Sequence, residues 1–395
     1  MKDQATVYTI IKKRRTEPLL YAQMSDFRYK KEGRIAAESI LSNPALSLYC
    51  LHDTAREAVF IESSQLGDMH TAPFMYQRQF KRAKRLIVVS YETLHRLAER
   101  CRTRKSKIIF LHSIGRCGST LLHTLFNEIP GMKSFSEPDV FTHMIEMREP
   151  DGSRDQEIIR LIKSIITLKC HSPYIQDIDT VVFKLRNFCI EIGDMLHAAV
   201  PDAHNIFLYR NAEDWARSSA RAFKIFDVKT AFIVFQKRHV WNRFVSLYDT
   251  YAAKHGKRFN VIKYTTLLWV SFMNCYRRFV ARGIPFLALR YEDLIKQPQY
   301  LLNEIFTACK ISGKTLGNVN QRFNQDSQQN TVLAKQVVNL DENNFLRPRH
   351  IKQLRRIIAN DDTINSPHYV LPNTIMLPSD DETETPKAEP AKLTG

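Results

Sequence analysis

From about residue 105 onward, short apolar runs alternate with stretches whose apolar positions recur at helical spacing. Ile108–Leu111, residues 180–185, 205–209 and 285–289 are runs of the kind that form buried parallel strands. Between them, Leu121, Leu122, Leu125, Phe126 and Ile129 fall on one face of a helix predicted over 119–129. Further helices are predicted over 188–199, 212–222, 229–254, 263–281, 299–309 and 349–360. This alternation predicts an α/β fold: a parallel β-sheet flanked by helices on both faces. The aromatic residues of the two long helices (Phe232, Phe235, Trp241, Tyr248, Trp269, Phe272 and Tyr276) read as core.

Upstream the pattern differs. A helix over 34–42, a hairpin of 46–50 with 58–61 around Asp53-Thr54-Ala55, and a helix over 88–101 predict a small α+β extension spanning 19–104. Residues 1–18 read as a loose basic arm, 105–360 as the main domain, and the Pro-, Asp-, Glu- and Thr-rich stretch 361–395 as a disordered tail.

Charge sharpens the picture. The chain has 395 residues, 44% apolar, with a net charge of +17. That is enough apolar content for a large core, and enough positive charge to favour anionic partners. Roughly 21 Lys and Arg against roughly 11 Asp and Glu precede Ile108. The runs Lys12–Arg15 and Lys81–Arg85 carry much of that excess and read as solvated surface, because nothing like a specific nucleic-acid-reading module accompanies them. The seven cysteines are odd in number, scattered and without C-x-x-C spacing, which points away from a disulfide scaffold or a zinc site. With no apolar run approaching 18 residues, no signal-peptide pattern and no glycosylation sequon, the expectation is a soluble, cytoplasmic protein without a transmembrane segment. A Golgi location would require an anchor removed from this chain. Oligomeric state is open.

The chemistry concentrates after the first of these strands. Gly115-Arg116-Cys117-Gly118-Ser119-Thr120 joins strand to helix, with two glycines that tolerate positive φ. The positive end of the helix dipole and its unpaired N–H groups favour an anion there, and Arg116, Ser119 and Thr120 add side-chain donors. The loop is not a Walker A motif, since Gly118 stands where the phosphate-binding lysine belongs. The plainer alternative is a helix cap supplied by Ser119 or Thr120. Cys117 sits where a thiolate is favoured, and also reads simply as filling a tolerant position. A second strand ends in Arg210, with Ser218 eight positions later on the helix that leaves it. Arg and Ser so placed suit a second phosphate.

Arg116–Leu122 (RCGSTLL), Arg210 with Ser218, and Arg290–Leu294 (RYEDL) occur in this order. In this the chain resembles the sulfotransferases that use 3′-phosphoadenosine 5′-phosphosulfate (PAPS), particularly their RxGSTLL-type carbohydrate and bacterial branch. The resemblance covers about 105–340. It implies the P-loop-like sulfotransferase fold. It also implies a phosphosulfate held by Gly115, Arg116, Cys117, Gly118, Ser119 and Thr120, a 3′-phosphate held by Arg210 and Ser218, and a nucleotide contact from Tyr291. Arg186 stands where the cytosolic branch carries its catalytic histidine, so catalysis through a histidine there is not expected. Glu137, before Pro138, is the expected base, held on an extended segment, with a cap or salt bridge to the next helix as the alternative. Asp139 is a weaker candidate. Lys184 and Arg116 are expected to stabilise charge on the transferring and leaving groups, with no metal required. Asp326-Ser327-Gln328 resembles a segment that closes over the ligands. Glu292 and Asp293 read as structural hydrogen-bonding groups. The implied activity is sulfuryl transfer to a hydroxyl of a carbohydrate or small alcohol, giving 3′,5′-adenosine bisphosphate (PAP). An ATP-dependent P-loop kinase, or a non-catalytic basic nucleotide- or anion-binding protein of the same fold, are the alternatives.

Overall fold

The computed structural model describes residues 3–15, 20–63, 69, 72–101, 106–172, 175–223, 242–245, 247–256, 260–312 and 346–378. Its first half is an antiparallel sheet. β1 (Gln4–Lys13) pairs with β2 (Phe27–Ala36), and after the single turn α1 (Ser39–Ser42) come β3 (Leu46–His52) and β4 (Glu57–Glu62). α2 (Met75–Arg82) leads to β5 (Arg85–Ser90) and α3 (Tyr91–Arg100), giving the sheet order β2-β1-β5-β4-β3. The β3–β4 hairpin lies where the sequence places it, closed by a 3-10 turn at Asp53–Ala55.

Other parts of this half depart from the sequence reading. Residues 4–13, expected as a loose arm, form β1: Ala5 and Val7 are buried inward and the basic run begins only at its exposed end. The helix expected over 34–42 reduces to α1, because 34–36 pair with β1. Val88–Ser90 complete β5, and the helix starts at Tyr91, where the Ser90 hydroxyl accepts from the Thr93 amide.

The second sheet is wholly parallel. Its elements are β6 (Lys107–Ser113), α4 (Ser119–Glu128), β7 (Met132–Ser136), α5 (Val140–Met147), α6 (Asp155–His171), β8 (Thr180–Lys184), α7 (Gly193–Ala199), β9 (His204–Tyr209) and α8 (Ala212–Ala222). They continue with α9 (Leu247–His255), α10 (Val261–Ala281), β10 (Phe286–Arg290), α11 (Tyr291–Lys296), α12 (Pro298–Ala308) and α13 (Pro348–Ala359). The strand order is β10-β9-β6-β8-β7, so β6 lies in the middle with β8 on one side and β9 on the other. The chain turns to opposite sides of β6 here, and in open parallel sheets the crevice at such a switch point receives ligands. Ser113, Ser136, Lys184, Tyr209 and Arg290 end the five strands on that one edge.

Ile108–Leu111, Val181–Phe183 and Ile206–Leu208 are buried, as continuous apolar runs require in a sheet covered on both faces. One apolar core runs from Ala5, Leu51 and Phe60 of the first sheet to Phe110, Phe183 and Phe207 of the second. Tyr248, Trp269, Phe272 and Tyr276 belong to that core as expected, whereas Phe232, Phe235 and Trp241 lie outside the described residues. The helix expected over 188–199 splits into a 3-10 turn, Asn187–Ile192, and α7. Residues 361–378, expected in the tail, pack back on the sheet: Leu371 is buried, Tyr276 donates to the Pro372 carbonyl at 2.6 Å, and Ala288 of β10 bridges to Thr374. Residues 379–395 lie outside the described residues. No helix among the described residues is long and apolar enough to cross a membrane.

Candidate active site

The loop after β6 turns through three left-handed residues, Gly115 (φ 74°), Arg116 (φ 52°) and Gly118 (φ 90°). Gly118 is the N-cap of α4, and no side chain caps the helix; Ser119 and Thr120 sit buried in its first turn instead. The capping alternative for these two residues is therefore not what the structure shows. The first amides of the helix have no intrahelical acceptor and form the positive end of its dipole. The Trp215 indole of α8 donates to the carbonyls of Ile114 (3.2 Å) and Gly115 (3.0 Å), fixing the loop from beneath. Cys117 is fully buried, its thiol donates to the Leu208 carbonyl at 3.2 Å, and burial pushes the thiol up to about 12. The thiolate that a helix N-terminus favours is overruled by desolvation, so Cys117 is packing.

Three separated sequence segments meet here. The Tyr291 ring, at the start of α11, lies so close to Gly118 that a Cβ on Gly118 would stand 3.1 Å from it. The Arg210 guanidinium lies over the same ring, 4.6 Å from its centroid. Arg116 Nε reaches Ser218 Oγ of α8 at 3.3 Å. Arg210 comes directly after β9, and Trp269 holds its backbone by donating to its carbonyl at 3.0 Å. Its Nε is buried and has no hydrogen-bond partner among the described residues. A buried, unpaired guanidinium nitrogen is costly, and an anionic ligand would satisfy it.

The neighbouring acids are accounted for. Glu292 accepts from the Asn211 amide (3.0 Å) and side chain (2.5 Å), while Asp293 accepts a fork from Arg290 at 2.6 and 2.8 Å. Both pin strand–helix junctions.

At the ends of β7 and β8 the arrangement is different. Glu137 is not extended: its φ is 54°, a strained value for a residue with a side chain. In that conformation its amide donates to the Lys184 carbonyl at 2.6 Å while its carboxylate Oε1 ion-pairs with Lys184 Nζ. The Lys184 side chain is 3% exposed and that of Glu137 14%. Lys184 Nζ also lies 5.5 Å from the centroid of the Phe74 ring. Two residues further along each strand end, Arg186 donates to Asp139 at 2.8 Å. Asp139 is fully buried and also accepts the Ala22 amide at 2.6 Å, with Arg15 at 3.6 Å. Burial opposes the Arg186 charge, but the adjoining Asp139 carboxylate prevails and its guanidinium is held well above the usual arginine value. Asp139 is thus buried and held by Arg186, Arg15 and the Ala22 amide. Trp215 and the Asp139–Arg186 pair escaped the sequence reading. The repeat of an acid two residues on (Glu137, Asp139) opposite a cation two residues on (Lys184, Arg186) was the available signal. Asp326-Ser327-Gln328 lie outside the described residues.

The fold and site therefore define a parallel α/β protein with a left-handed, glycine-bearing loop and an uncapped helix start at its topological switch point. No protein-family model and no curated protein matches the chain. Solved structures that it resembles include the sulfotransferase domain from the curacin biosynthetic pathway (14% identity, 66% of this chain and 99% of that one, TM-score 0.36). Others are a sulfotransferase from Alicyclobacillus acidocaldarius (12%, 65% and 92%, TM-score 0.34) and mouse sulfotransferase SULT7A1 complexed with PAP (14%, 69% and 91%, TM-score 0.36). At such identities and scores, the residues of the site itself carry the functional reading.

Proposed function

We propose that the protein transfers a sulfuryl group from PAPS to an acceptor hydroxyl of a carbohydrate or small alcohol. The observation that carries this reading is Tyr291, which touches both Gly118 and Arg210 and so ties the two phosphate-type sites to one another. The donor set fits a bisphosphorylated nucleotide. The absent Cβ at Gly118 lets the Tyr291 ring pack against the loop, and the Nε of Arg210, without a partner among the described residues, would be satisfied by an anion.

Arg116, Ser119, Thr120 and the loop amides of Gly115, Cys117 and Gly118 would hold the phosphosulfate end, Arg210 and Ser218 the 3′-phosphate, and Tyr291 a face of the nucleotide. PAPS when bound supplies the sulfuryl group and departs as PAP. Glu137 receives the acceptor's hydroxyl proton as the acceptor oxygen bonds to sulfur. Lys184, already beside Glu137, stabilises the charge that the breaking S–O bond leaves on the phosphate oxygen.

Calorimetric titration with PAP, against ATP with magnesium, on the parent and on Arg210→Ala tests the assignment. Metal-independent binding of PAP that needs Arg210 supports it. A preference for ATP with magnesium would favour the kinase reading. PAP binding with no turnover of radiolabelled PAPS across an acceptor screen would leave a nucleotide-binding protein.

A further inference from the structure

Two cations converge on one carboxylate just behind Glu137. Arg186 and Arg15 both face Asp139, at 2.8 and 3.6 Å, and their guanidiniums lie over the Tyr76 ring at 5.3 and 4.8 Å from its centroid. Arg15 and Arg186 are further joined by a shared acceptor, the Leu20 carbonyl. Arg186 also feels the Glu137 charge, so without Asp139 the Glu137 carboxylate would be left to attract it. Arg15 has unsatisfied buried nitrogens of its own, Nε and Nη1. Three cations (Lys184, Arg186 and Arg15) thus compete for the acids at this strand edge.

We infer that Asp139 is a positioning residue that occupies Arg186 and Arg15, so that Glu137 remains paired with Lys184 and aimed at the acceptor. The geometry is a two-rung ladder, Glu137–Lys184 and Asp139–Arg186, across the parallel ends of β7 and β8. The second rung is locked from the antiparallel sheet by Arg15 and the Ala22 amide. The Ser136 hydroxyl donates to the Pro73 carbonyl at 2.5 Å, and Phe74 and Tyr76 cover the cations, so the same antiparallel half also walls the site. This gives residues before 105 a part in the chemistry: they hold the base in register. The inference rests on Glu137 being the base.

The experiment compares kcat, KM for PAPS, PAP affinity and the acid limb of the pH–rate profile in Asp139→Asn, Arg186→Met and the double variant, with Glu137→Gln alongside. The charged and titratable groups around Glu137 are Lys184, Arg186, Tyr76 and Cys189, with Asp139 and Arg15 behind Arg186 and Asp26 behind Arg15. Asp139→Asn frees two cations toward Glu137. Its kcat should fall about 10- to 100-fold, the range a small misplacement produces, with PAP affinity unchanged and the acid limb moved to lower pH. Arg186→Met should move that limb to higher pH, and the double variant should return it toward the parent and recover part of kcat. A merely structural role would lower thermal stability without limb shifts of opposite sign. Should Asp139→Asn not fold, Arg186→Lys, which keeps the charge and loses the fork, must still lower kcat at constant PAP affinity. Parental kcat and parental limbs, with Glu137→Gln inactive, overturn the positioning role and leave the base assignment standing. Full activity of Glu137→Gln overturns the base assignment and this inference with it.

Discussion

The two ends of the strand edge solve opposite problems. Around β6, β9 and β10 the structure leaves a charged group wanting: Arg210 has an unpaired buried nitrogen, and the helix behind Gly118 has no side-chain cap. Around β7 and β8 every acid already has its cation, Glu137 with Lys184 and Asp139 with Arg186. One end is organised to be completed from outside and the other to be self-sufficient. A site that binds a multiply charged donor and then moves one proton needs both, since the binding end gains from unmet donors and the reacting end gains from fixed geometry.

Four substitutions sharpen or break this contrast. The largest effect is expected at the self-sufficient end. Glu137→Gln should lower turnover by about 10² or more, the usual size for loss of a general base, while calorimetric PAP affinity stays at the parental value. A matching loss of PAP affinity would mean that Glu137 belongs to the binding end. Next, Arg210→Ala should weaken PAP binding about 10- to 100-fold, as expected for a hydrogen bond between charged groups worth ~1.5–3 kcal/mol. AMP, without the 3′-phosphate, should lose far less, and equal losses would remove Arg210 from that role.

The third tests what pairing does for a buried cation. Lys169 of α6 has no carboxylate partner among the described residues; its ammonium faces Ser47 Oγ at 3.4 Å and the Phe135 ring at 5.2 Å. Burial pushes it down to about 8 from 10.5. Because the folded value is the lower one, the folded chain bears the cost of a buried charge in full below pH 8, and that cost fades as pH rises to 10.5. Lys169→Met should therefore raise stability at pH 7 by about 1–3 kcal/mol, with the gain vanishing in melts above pH 10.5. A loss of stability at pH 7 would show that the Ser47 and Phe135 contacts outweigh desolvation. Smallest is Gly118→Ala. It places a Cβ 3.1 Å from Tyr291 at a φ of 90°, and should cost about 1 kcal/mol in thermal or urea melts. A neutral result would mean that the Tyr291 ring yields.

How much the sequence disclosed depends on how local each signal is. β6, β8, β9 and β10 announce themselves because strands covered on both faces are uninterrupted apolar runs. β7 does not: Ser134 and Ser136 break its run, and both are buried only because Ser134 bonds to Asn127 and His123 and Ser136 to the Pro73 carbonyl, partners the sequence places far apart or on another element. The fourfold basic run at the end of β1 masked the alternation of Ala5 and Val7 before it. In the site, the glycines, Arg210 and Tyr291 were legible as spaced motifs. The left-handed Glu137 was not, since the proline after it argues for extended backbone and only the contact with Lys184 reverses that. The cation competition around Asp139 was equally hidden, because Arg15 arrives from just past β1, more than a hundred residues upstream.

The return of residues 361–378 has a consequence for how the protein behaves among its own copies. β10 is the outermost strand of the parallel sheet, and a bare outer strand is a template on which another chain can add. Here Ala288 donates to the Asn373 carbonyl at 3.0 Å and accepts from the Ile375 amide at 3.0 Å, so at the middle of β10 the peptide groups that would invite such addition are already engaged. A chain ending before Asn373 should keep its fold and site chemistry yet lose this cover, and light scattering should then report self-association growing with concentration.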